Sequence, residues 1–324
     1  MAKKNQPIPL EQAWINWKNC VNGDDQNAIF RQITTMIWDT AIFRVIMEGR
    51  KAKIQQNAQN PEFNVPLHLF IDRNYFQAQS ATIRRLVDTS RYGLTGDRGV
   101  YSLGALIKDI RNYRNELTRK AFLDFRKMPY DYSEIQRKQS EYIRKHGFGN
   151  GFVQIPEEYN WEPIEETHRI FDRLCGVKPD QRSPNDQIDP QVFSRLLDRL
   201  VECQQITKYV DKFIAHSSIP ESRLGFPERG ITLSQLWTAQ RILYEVAAFL
   251  NFILFFEYRM VLPHENSTFS EFFEKPLFEE DEIIIVHETL QNYREETDKW
   301  ASGGIENTWN WIEDRSDGQD ENKV

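Results

Sequence analysis

The chain has 324 residues, of which 40% are hydrophobic and 27% are charged, and its formal net charge is −7. This length permits one large domain or two ordinary ones, and the apolar fraction is sufficient for a sizeable core. The acidic excess argues against a general polyanion binder, although it leaves room for a local basic groove.

Cysteine usage and the apolar runs indicate the compartment. Cys20, Cys175 and Cys203 are far apart and follow no pattern, which predicts free thiols in a reducing cytoplasm. The N-terminal residues lack the apolar run of a secretory signal. The most apolar run, Val246–Phe256, is about half the roughly 20 residues that span a bilayer. We therefore expect a cytoplasmic protein with no membrane association.

Apolar residues recur at helical spacing along most of the chain, so the predicted fold class is all-α. The expected architecture is an antiparallel bundle of long helices with an additional irregular middle region. In the first part, Asp24 or Asp25 caps a helix, Pro61 and Pro66 interrupt the connector after it, and turn residues at 91–99 end the next helix. The helices predicted here are 26–53, 73–90 and 103–126.

The irregular middle region is rich in Tyr, Arg, Lys and Gly and extends over about 127–187. It contains short predicted helices at 133–145 and 163–175. Glycines alternate at 147–151, but no predicted strand precedes them and no helix follows, so a plain turn is expected there instead of a phosphate-binding loop.

The second part is organised around one long amphipathic helix predicted over 189–219, with Pro190 in its first turn and Pro220 just beyond its end. Thr232 caps the next long helix, 233–260, which is expected to pack antiparallel to it. A last helix is predicted over 279–301. Gly303 and Gly304 are expected to stop it, and three apolar residues are expected to pack back: Trp309, Trp311 and Ile312.

The expected domain organisation is a single all-α domain at 25–312, with the irregular region of about 127–187 inserted in it. An N-terminal extension at 1–24 precedes the domain, and a disordered polar tail at 313–324 follows it.

The sequence contains none of the common metal or nucleotide motifs. The six histidines are scattered, no two are spaced as i, i+4, and CxxC, HExxH and GxxxxGK[ST] patterns are absent. We therefore expect no metal site and no cofactor.

The last turn of the 189–219 helix carries Asp211, Lys212 and His216 beside an apolar seam. At 3.6 residues per turn, His216 shares a face with Lys212, Tyr209 and, slightly off centre, Lys208. A protonated histidine at a helix C-terminus is also favoured by the helix dipole. The residues predict a small cationic, hydrogen-bonding patch, and they equally allow a surface or half-buried histidine that only caps the helix.

The segment KYVDKFIAHSS, Lys208 to Ser218, resembles the signature end of HEPN-like helical domains. Its DK-x-IAH-S pattern is similar to the abortive-infection U-type branch, as are the stretches LVDT at 86–89 and YSLGALIKDI at 101–110. The resemblance covers about 25–125 and 185–260.

Domains of this wider family are metal-independent endoribonucleases of toxin and phage-defence systems, in which a ribose 2′-OH attacks the adjacent phosphate. The resemblance implies a catalytic set of His216 for proton transfer, Lys212 for electrostatic stabilisation and Asp211 for orientation. It implies RNA as the substrate without DNA specificity, a homodimer through the long helices and a partner protein of a defence system. The implied substrate-binding residues are Lys208, Ser217 and Arg223.

The sequence departs from the family pattern at one position. The family signature is an arginine separated from the histidine by four to six residues, but Tyr209, Val210 and Asp211 occupy those positions here. Lysine supplies a positive charge, but it lacks the paired N–H donors with which an arginine guanidinium binds a phosphate. The missing group would then have to come from elsewhere in three dimensions, and the candidates are Arg111, Arg114, Arg223 and Arg229.

A second hypothesis is a non-catalytic helical interaction protein on the same scaffold, acting as a binding partner, immunity factor or assembly module. It rests on the absent arginine, the acidic net charge and the apolar 233–260 helix, whose surplus apolar surface would suit a dimer seam.

Overall fold

A computed structural model describes residues 8–56, 65–89, 94, 99–147, 154–215, 220–223, 230–259 and 283–313. The prediction of an all-α fold is confirmed, and β-pairing among the described residues is limited to an isolated bridge between Thr118 and Gln187. The α-helices, in chain order, are α1 Leu10–Asn22, α2 Ile29–Gln56, α3 Val65–Val87, α4 Leu103–Asn112, α5 Arg119–Phe125, α6 Ser133–His146, α7 Glu162–Cys175, α8 Pro190–Val201, α9 Gln204–Tyr209, α10 Leu233–Phe255 and α11 Ile283–Glu313.

The chain divides into two compact units where the sequence predicted one domain with an insertion. The smaller unit comprises Met1–Gln12 and Asp109–Ser194, and it contains the irregular region predicted at about 127–187. The larger unit comprises Ala13–Lys108 and Arg195–Val324. None of the described helices is both long and apolar enough to cross a bilayer. The tail at 314–324 and the glycines at 149 and 151 lie outside the described residues.

Helix α10 is the centre of the larger unit and packs against α2, α3 and α11. Thr232 caps its start, as the sequence predicted, and Gln235 completes a capping box. Its apolar residues are buried on nearly all sides within the chain, so the surplus surface that suggested a dimer seam is covered by these three helices.

A buried polar network joins α10 to α2 and α3. The side-chain amide of Gln240 donates to Thr40 Oγ1 at 2.6 Å and to Gln79 Oε1 at 2.7 Å. The hydroxyl of Tyr75 lies 3.0 Å from the same Thr40 oxygen, and the Tyr75 ring stacks on Phe43 with 3.8 Å between centroids. Because buried polar groups are costly unless they are paired, these bonds fix the relative register of the three helices.

Two helices begin earlier than the sequence indicated. Residues 10–22, predicted to belong to an extension, form α1, and Trp17 of this helix is fully buried. Helix α3 begins at Val65 instead of about 73, with Pro66 in its first turn. A proline there removes an N–H that has no intrahelical partner, so it does not interrupt the helix as we had predicted.

The helix predicted over 103–126 is two helices, because the chain turns at Tyr113–Glu116 and restarts after Thr118. The Thr118 hydroxyl caps α5, and the first backbone N–H groups of α5 donate to the carbonyls of Asp186 and Pro184 at 2.9 and 3.0 Å. The first N–H groups of α5 are therefore satisfied by carbonyls that are distant in sequence. No local sequence pattern predicts such partners.

The last helix does not stop at the glycine pair. Helix α11 continues through Gly303 and Gly304 to Glu313, and Trp309 packs edge-on against Phe249 of α10 with 4.9 Å between ring centroids. Trp309 and Ile312 are buried, as the sequence predicted. Burial of these side chains outweighs the roughly 1 kcal/mol cost of each glycine in a helix.

The helix predicted over 189–219 is also interrupted. Helix α8 ends at Val201, which is 58% exposed, and α9 begins only at Gln204. The intervening turn keeps Leu200, Cys203 and Ile206 all buried. In a continuous helix, Val201 would belong to the apolar stripe. The break between α8 and α9 leaves Val201 exposed and places the other three residues in the core.

The smaller unit is held by a buried charge network around Arg119, whose side chain is fully buried. Its guanidinium lies 2.8 Å from both Asp172 Oδ1 and Asp186 Oδ2. Arg182 continues the network to Asp172 and Glu165, each at 2.7 Å. The chain segment after α7 is therefore fastened to α5 and α7 by charge-assisted hydrogen bonds.

Candidate functional site

The segment that carries the family resemblance adopts an unusual helical form. Residues Val210–Ile214 are π-helical, and the backbone N–H of Ala215 donates to the carbonyl of Val210 at 2.7 Å. Single π turns are rare and are found frequently at functional sites. We refer to Val210–Ile214 as the π turn. It continues directly from α9 and therefore displaces the residues after Tyr209 from the face that a regular helix would give them.

Asp211 in the π turn is paired with an arginine from a distant part of the sequence. Arg84 Nε, in the last turn of α3, donates to Asp211 Oδ1 at 2.5 Å. The two side chains are 37% and 39% exposed, so the pair lies at the surface and remains accessible. The contact follows from the packing of α3 against α9 and the π turn.

Lys212 forms the second polar contact of the π turn. Its ammonium donates to Ser222 Oγ at 2.6 Å, and Ser222 belongs to the short 3₁₀ turn Pro220–Arg223. This bond ties together the two described segments on either side of 216–219. An ammonium has three N–H donors, so Lys212 retains two for another acceptor.

Aromatic packing supports the π turn from its N-terminal side. Tyr209 and Phe213 stack with 4.9 Å between their ring centroids. Gly230 lies against Tyr209 with φ of 66°, and a Cβ at this position would lie 3.3 Å from the Tyr209 ring. Both the left-handed backbone and the close approach favour glycine here, so Gly230 is fitted to the Tyr209 ring.

Lys208 extends the positive charge beyond the π turn. Its side chain is exposed, and it makes no hydrogen bond or ion pair within the described part of the chain. Arg84 of α3, Lys208 of α9 and Lys212 of the π turn are therefore cations of three packed elements, and the carboxylate of Asp211 is paired with the first of them. The arrangement is able to hold an anion, because the guanidinium keeps its two terminal nitrogens for bidentate contact.

The structure locates only part of the predicted site. Asp211 and Lys212 lie together in the π turn, and Lys208 precedes them on α9. His216 and Ser217 lie outside the described residues, and Arg223 is described only in its backbone. No group of three or more His, Cys, Asp or Glu in the described residues is arranged to hold a metal ion.

Sequence reasoning missed Arg84. Our candidates for the missing arginine were Arg111, Arg114, Arg223 and Arg229, and Arg114 instead donates to the carbonyl of Ile188 in the smaller unit. Asp211 lies 127 positions after Arg84, so helical spacing does not connect the two. The available signal was the Arg84-Arg85 pair at a predicted helix end, directly before the LVDT stretch that carries the family resemblance.

Comparison with known proteins does not assign the chain to a family. No family model and no solved structure matches it. A stretch of 100 residues is 30% identical to plasmepsin VII of Plasmodium berghei (strain Anka), covering 30% of this chain and 20% of that protein. The match thus spans a minor part of both proteins.

Proposed function

We propose that the chain is a HEPN-like, metal-independent endoribonuclease of a toxin or phage-defence system, as the KYVDKFIAHSS segment implies. The observation that carries the proposal is the Arg84–Asp211 pair in the π turn. It brings an arginine to the segment in which the family's linear arginine is missing. In this proposal Arg84 of α3 is the fork-shaped cation that the motif itself lacks.

In this proposal His216 accepts the proton of a ribose 2′-OH as that oxygen attacks the adjacent phosphorus. The new bond joins the 2′ oxygen to phosphorus, the bond to the 5′ oxygen breaks, and the leaving oxygen takes a proton from solvent. Arg84 and Lys212 stabilise the charge on the phosphate oxygens, and Asp211 orients the Arg84 fork. The products are a 2′,3′-cyclic phosphate and a 5′-hydroxyl.

Ser217 and Lys208 serve as phosphate contacts in the same proposal, and Arg223 lies on the turn that Lys212 holds. Two such sites meet across the two-fold axis of a homodimer, which doubles the local positive charge. The protein acts in the cytoplasm on RNA, without DNA specificity, and together with a partner protein of its defence system.

The test is incubation of the purified protein and its His216→Ala variant with total RNA. We expect cleavage by the native protein and a loss of at least about 100-fold in the variant, in the range reported for removal of a proton-transfer group. Equal cleavage by both proteins, or cleavage by neither, contradicts the proposal.

A non-catalytic interaction protein is the second candidate function, and one observation favours it. Arg84 and Lys212 already have intramolecular partners, Asp211 and Ser222, so the π turn is equally suited to a structural role. Under this proposal, His216→Ala retains the cellular phenotype, whereas a substitution on an exposed apolar surface abolishes it.

A further inference from the structure

Helices α2 and α3 form an antiparallel hairpin with an open groove along one side. Arg50 Nε bonds His68 Nδ1 at 2.7 Å near one end, and Gln79 bonds the carbonyl of Met36 towards the other, which fixes the antiparallel register. The groove is a cavity of about 350 Å³, and its lining is mainly apolar. We call it the α2–α3 groove. Its principal lining residues are Asp39, Phe43, Ile46, Phe70, Tyr75 and Ala78.

The floor of the groove is buried and its rim is exposed. Phe43 and Tyr75 are buried and stacked with an interplanar angle of 3°. At the rim, Phe70 is 55% exposed and Ala78 is also exposed. Elsewhere on the first turns of α3, Val65 and Leu69 are also exposed, at 56% and 63%. The groove runs between two packed helices, and such two-helix walls match the shape of a third helix.

Among the described residues that line the groove, one is charged, namely Asp39. Asp39 makes no hydrogen bond or ion pair within the described part of the chain. Burial raises the pKa of the Asp39 carboxyl, and no neighbouring cation opposes this shift. A partly desolvated carboxylate beside an apolar floor is matched by a partner that brings its own cation.

We propose that the α2–α3 groove docks an amphipathic helix of another protein, with apolar side chains on the Phe43–Tyr75 floor and a lysine or arginine paired with Asp39. The antiparallel register places Asp39 with Ala78 at one end of the groove and Ile46 with Phe70 at the other. The partner's cation therefore lies about one helical turn from the apolar side chain on the floor, since residues 39 and 43 are four positions apart on α2.

Charge complementarity favours this occupant over the alternatives. In a two-fold contact between copies of this chain, each groove would present only a carboxylate to the other, so Asp39 would again lack a counter-ion. An anionic lipid surface would be repelled by the same group. The inference does not rest on the proposed nuclease activity, because it uses none of the residues at the π turn.

The probe is a fluorescent helical peptide of leucine, alanine and lysine, about 14 residues long so that it spans the groove with about one turn to spare at each end. Its twin carries glutamate in place of every lysine. Fluorescence anisotropy with the full chain should show that the lysine peptide binds about tenfold more tightly than the twin. Asp39→Asn should remove most of that preference, whereas Asp24→Asn, an equal charge change at an exposed position, should preserve it.

Two rim variants test the site itself. Ala78→Trp fills the groove, and Phe70→Ser removes an exposed anchor whose loss does not threaten the core. Each should weaken the lysine peptide about tenfold while helical circular dichroism is unchanged. Three results overturn the proposal: equal effects of Asp39→Asn and Asp24→Asn, peptide binding that neither rim variant weakens, or a dimer of the native chain that Phe70→Ser dissociates.

Discussion

At the scale of single residues, the π turn combines charges that the sequence separates. Asp211 and Lys212 are neighbours in the chain, but the arginine beside them comes from α3. The Nε–H of Arg84 donates to the Asp211 carboxylate, which leaves the two terminal nitrogens of the guanidinium available for a phosphate. In the proposed nuclease, Arg84 takes the place of the arginine that the linear motif lacks.

Arg84→Ala should reduce RNA cleavage about 100-fold, because it removes a bidentate donor to the phosphate. It should change the free energy of unfolding by no more than about 1 kcal/mol, since the pair with Asp211 lies at the surface. The measurement is a cleavage time course beside a urea titration. Arg85→Ala is the matched control, because the Arg85 side chain is exposed and bonds Thr82 instead. A similar loss of cleavage in both variants would refute the role of Arg84.

Glu165 in the smaller unit should make stability depend on pH. Hydrogen bonds from Arg182 lower its pKa from 4.5 to about 2. A carboxyl whose pKa is lowered by folding adds stability above its unfolded pKa, and that stability is lost as the pH falls through the folded value.

Glu165→Gln should therefore destabilise the protein by about 1–2 kcal/mol at pH 7, a figure reduced from the full pKa shift to allow for solvent screening. The difference from the native protein should shrink as the pH falls from 4.5 towards 2. Urea titrations at pH 7 and pH 3 measure it, with the exposed Glu166→Gln as control. A difference that is the same at both pH values would contradict the prediction.

Single residues were predictable from sequence only where their partners are local. The Thr232–Gln235 capping box and the apolar positions of α10 follow from spacing alone. The Arg84–Asp211 and Arg119–Asp186 pairs do not, because each joins residues more than 60 positions apart. Ion pairs of this kind are fixed by tertiary packing, which a linear pattern does not encode.

At the scale of elements, the existence of most helices was predictable and their continuity was not. The helices predicted over 133–145 and 163–175 are confirmed within one residue at each end. The predictions over 103–126 and 189–219 joined helices that the structure separates. In both cases the apolar period continues across the break, so the pattern contains no signal for the turn.

Two helical glycines should respond oppositely to the same substitution. A Cβ at Gly304 of α11 would lie 3.5 Å from Glu245 Cγ, an ordinary contact, so Gly304→Ala should stabilise by up to about 1 kcal/mol through helix propensity. A Cβ at Gly104 of α4 would lie 2.6 Å from the Asp88 carbonyl oxygen. Gly104→Ala should therefore destabilise by about 1–3 kcal/mol.

Thermal unfolding of both variants beside the native protein measures these effects. A rise in Tm for Gly304→Ala and a fall for Gly104→Ala are expected. A fall for both would mean that α11 approaches α10 more closely at Glu245 than the structure shows, and would contradict this account of the helix contact.

At the scale of the whole molecule, the larger unit carries two separate candidate surfaces. At the first surface, the π turn contributes Lys212 and the neighbouring helices α3 and α9 contribute Arg84 and Lys208. The second surface, the α2–α3 groove, has an apolar floor and the carboxylate of Asp39. A phosphate backbone suits the first surface and a basic helix suits the second. Substitutions at one surface should therefore leave the function of the other unchanged.

The all-α fold class was predictable because the helical apolar period is sustained over most of the chain. The division into two units was not, because its boundaries at Asp109 and Ser194 fall inside α4 and α8. A boundary inside a helix leaves no loop composition for sequence reasoning to detect.

The central claim is that the segment ending at His216 cleaves RNA through the ribose 2′-OH. The most direct measurement is the chemistry of the new RNA ends after incubation with the native protein in excess EDTA, with His216→Ala alongside. We predict 2′,3′-cyclic phosphates and 5′-hydroxyls from the native protein and about 100-fold fewer from the variant. Ends bearing 5′-phosphates, or equal yields from both proteins, would contradict the claim.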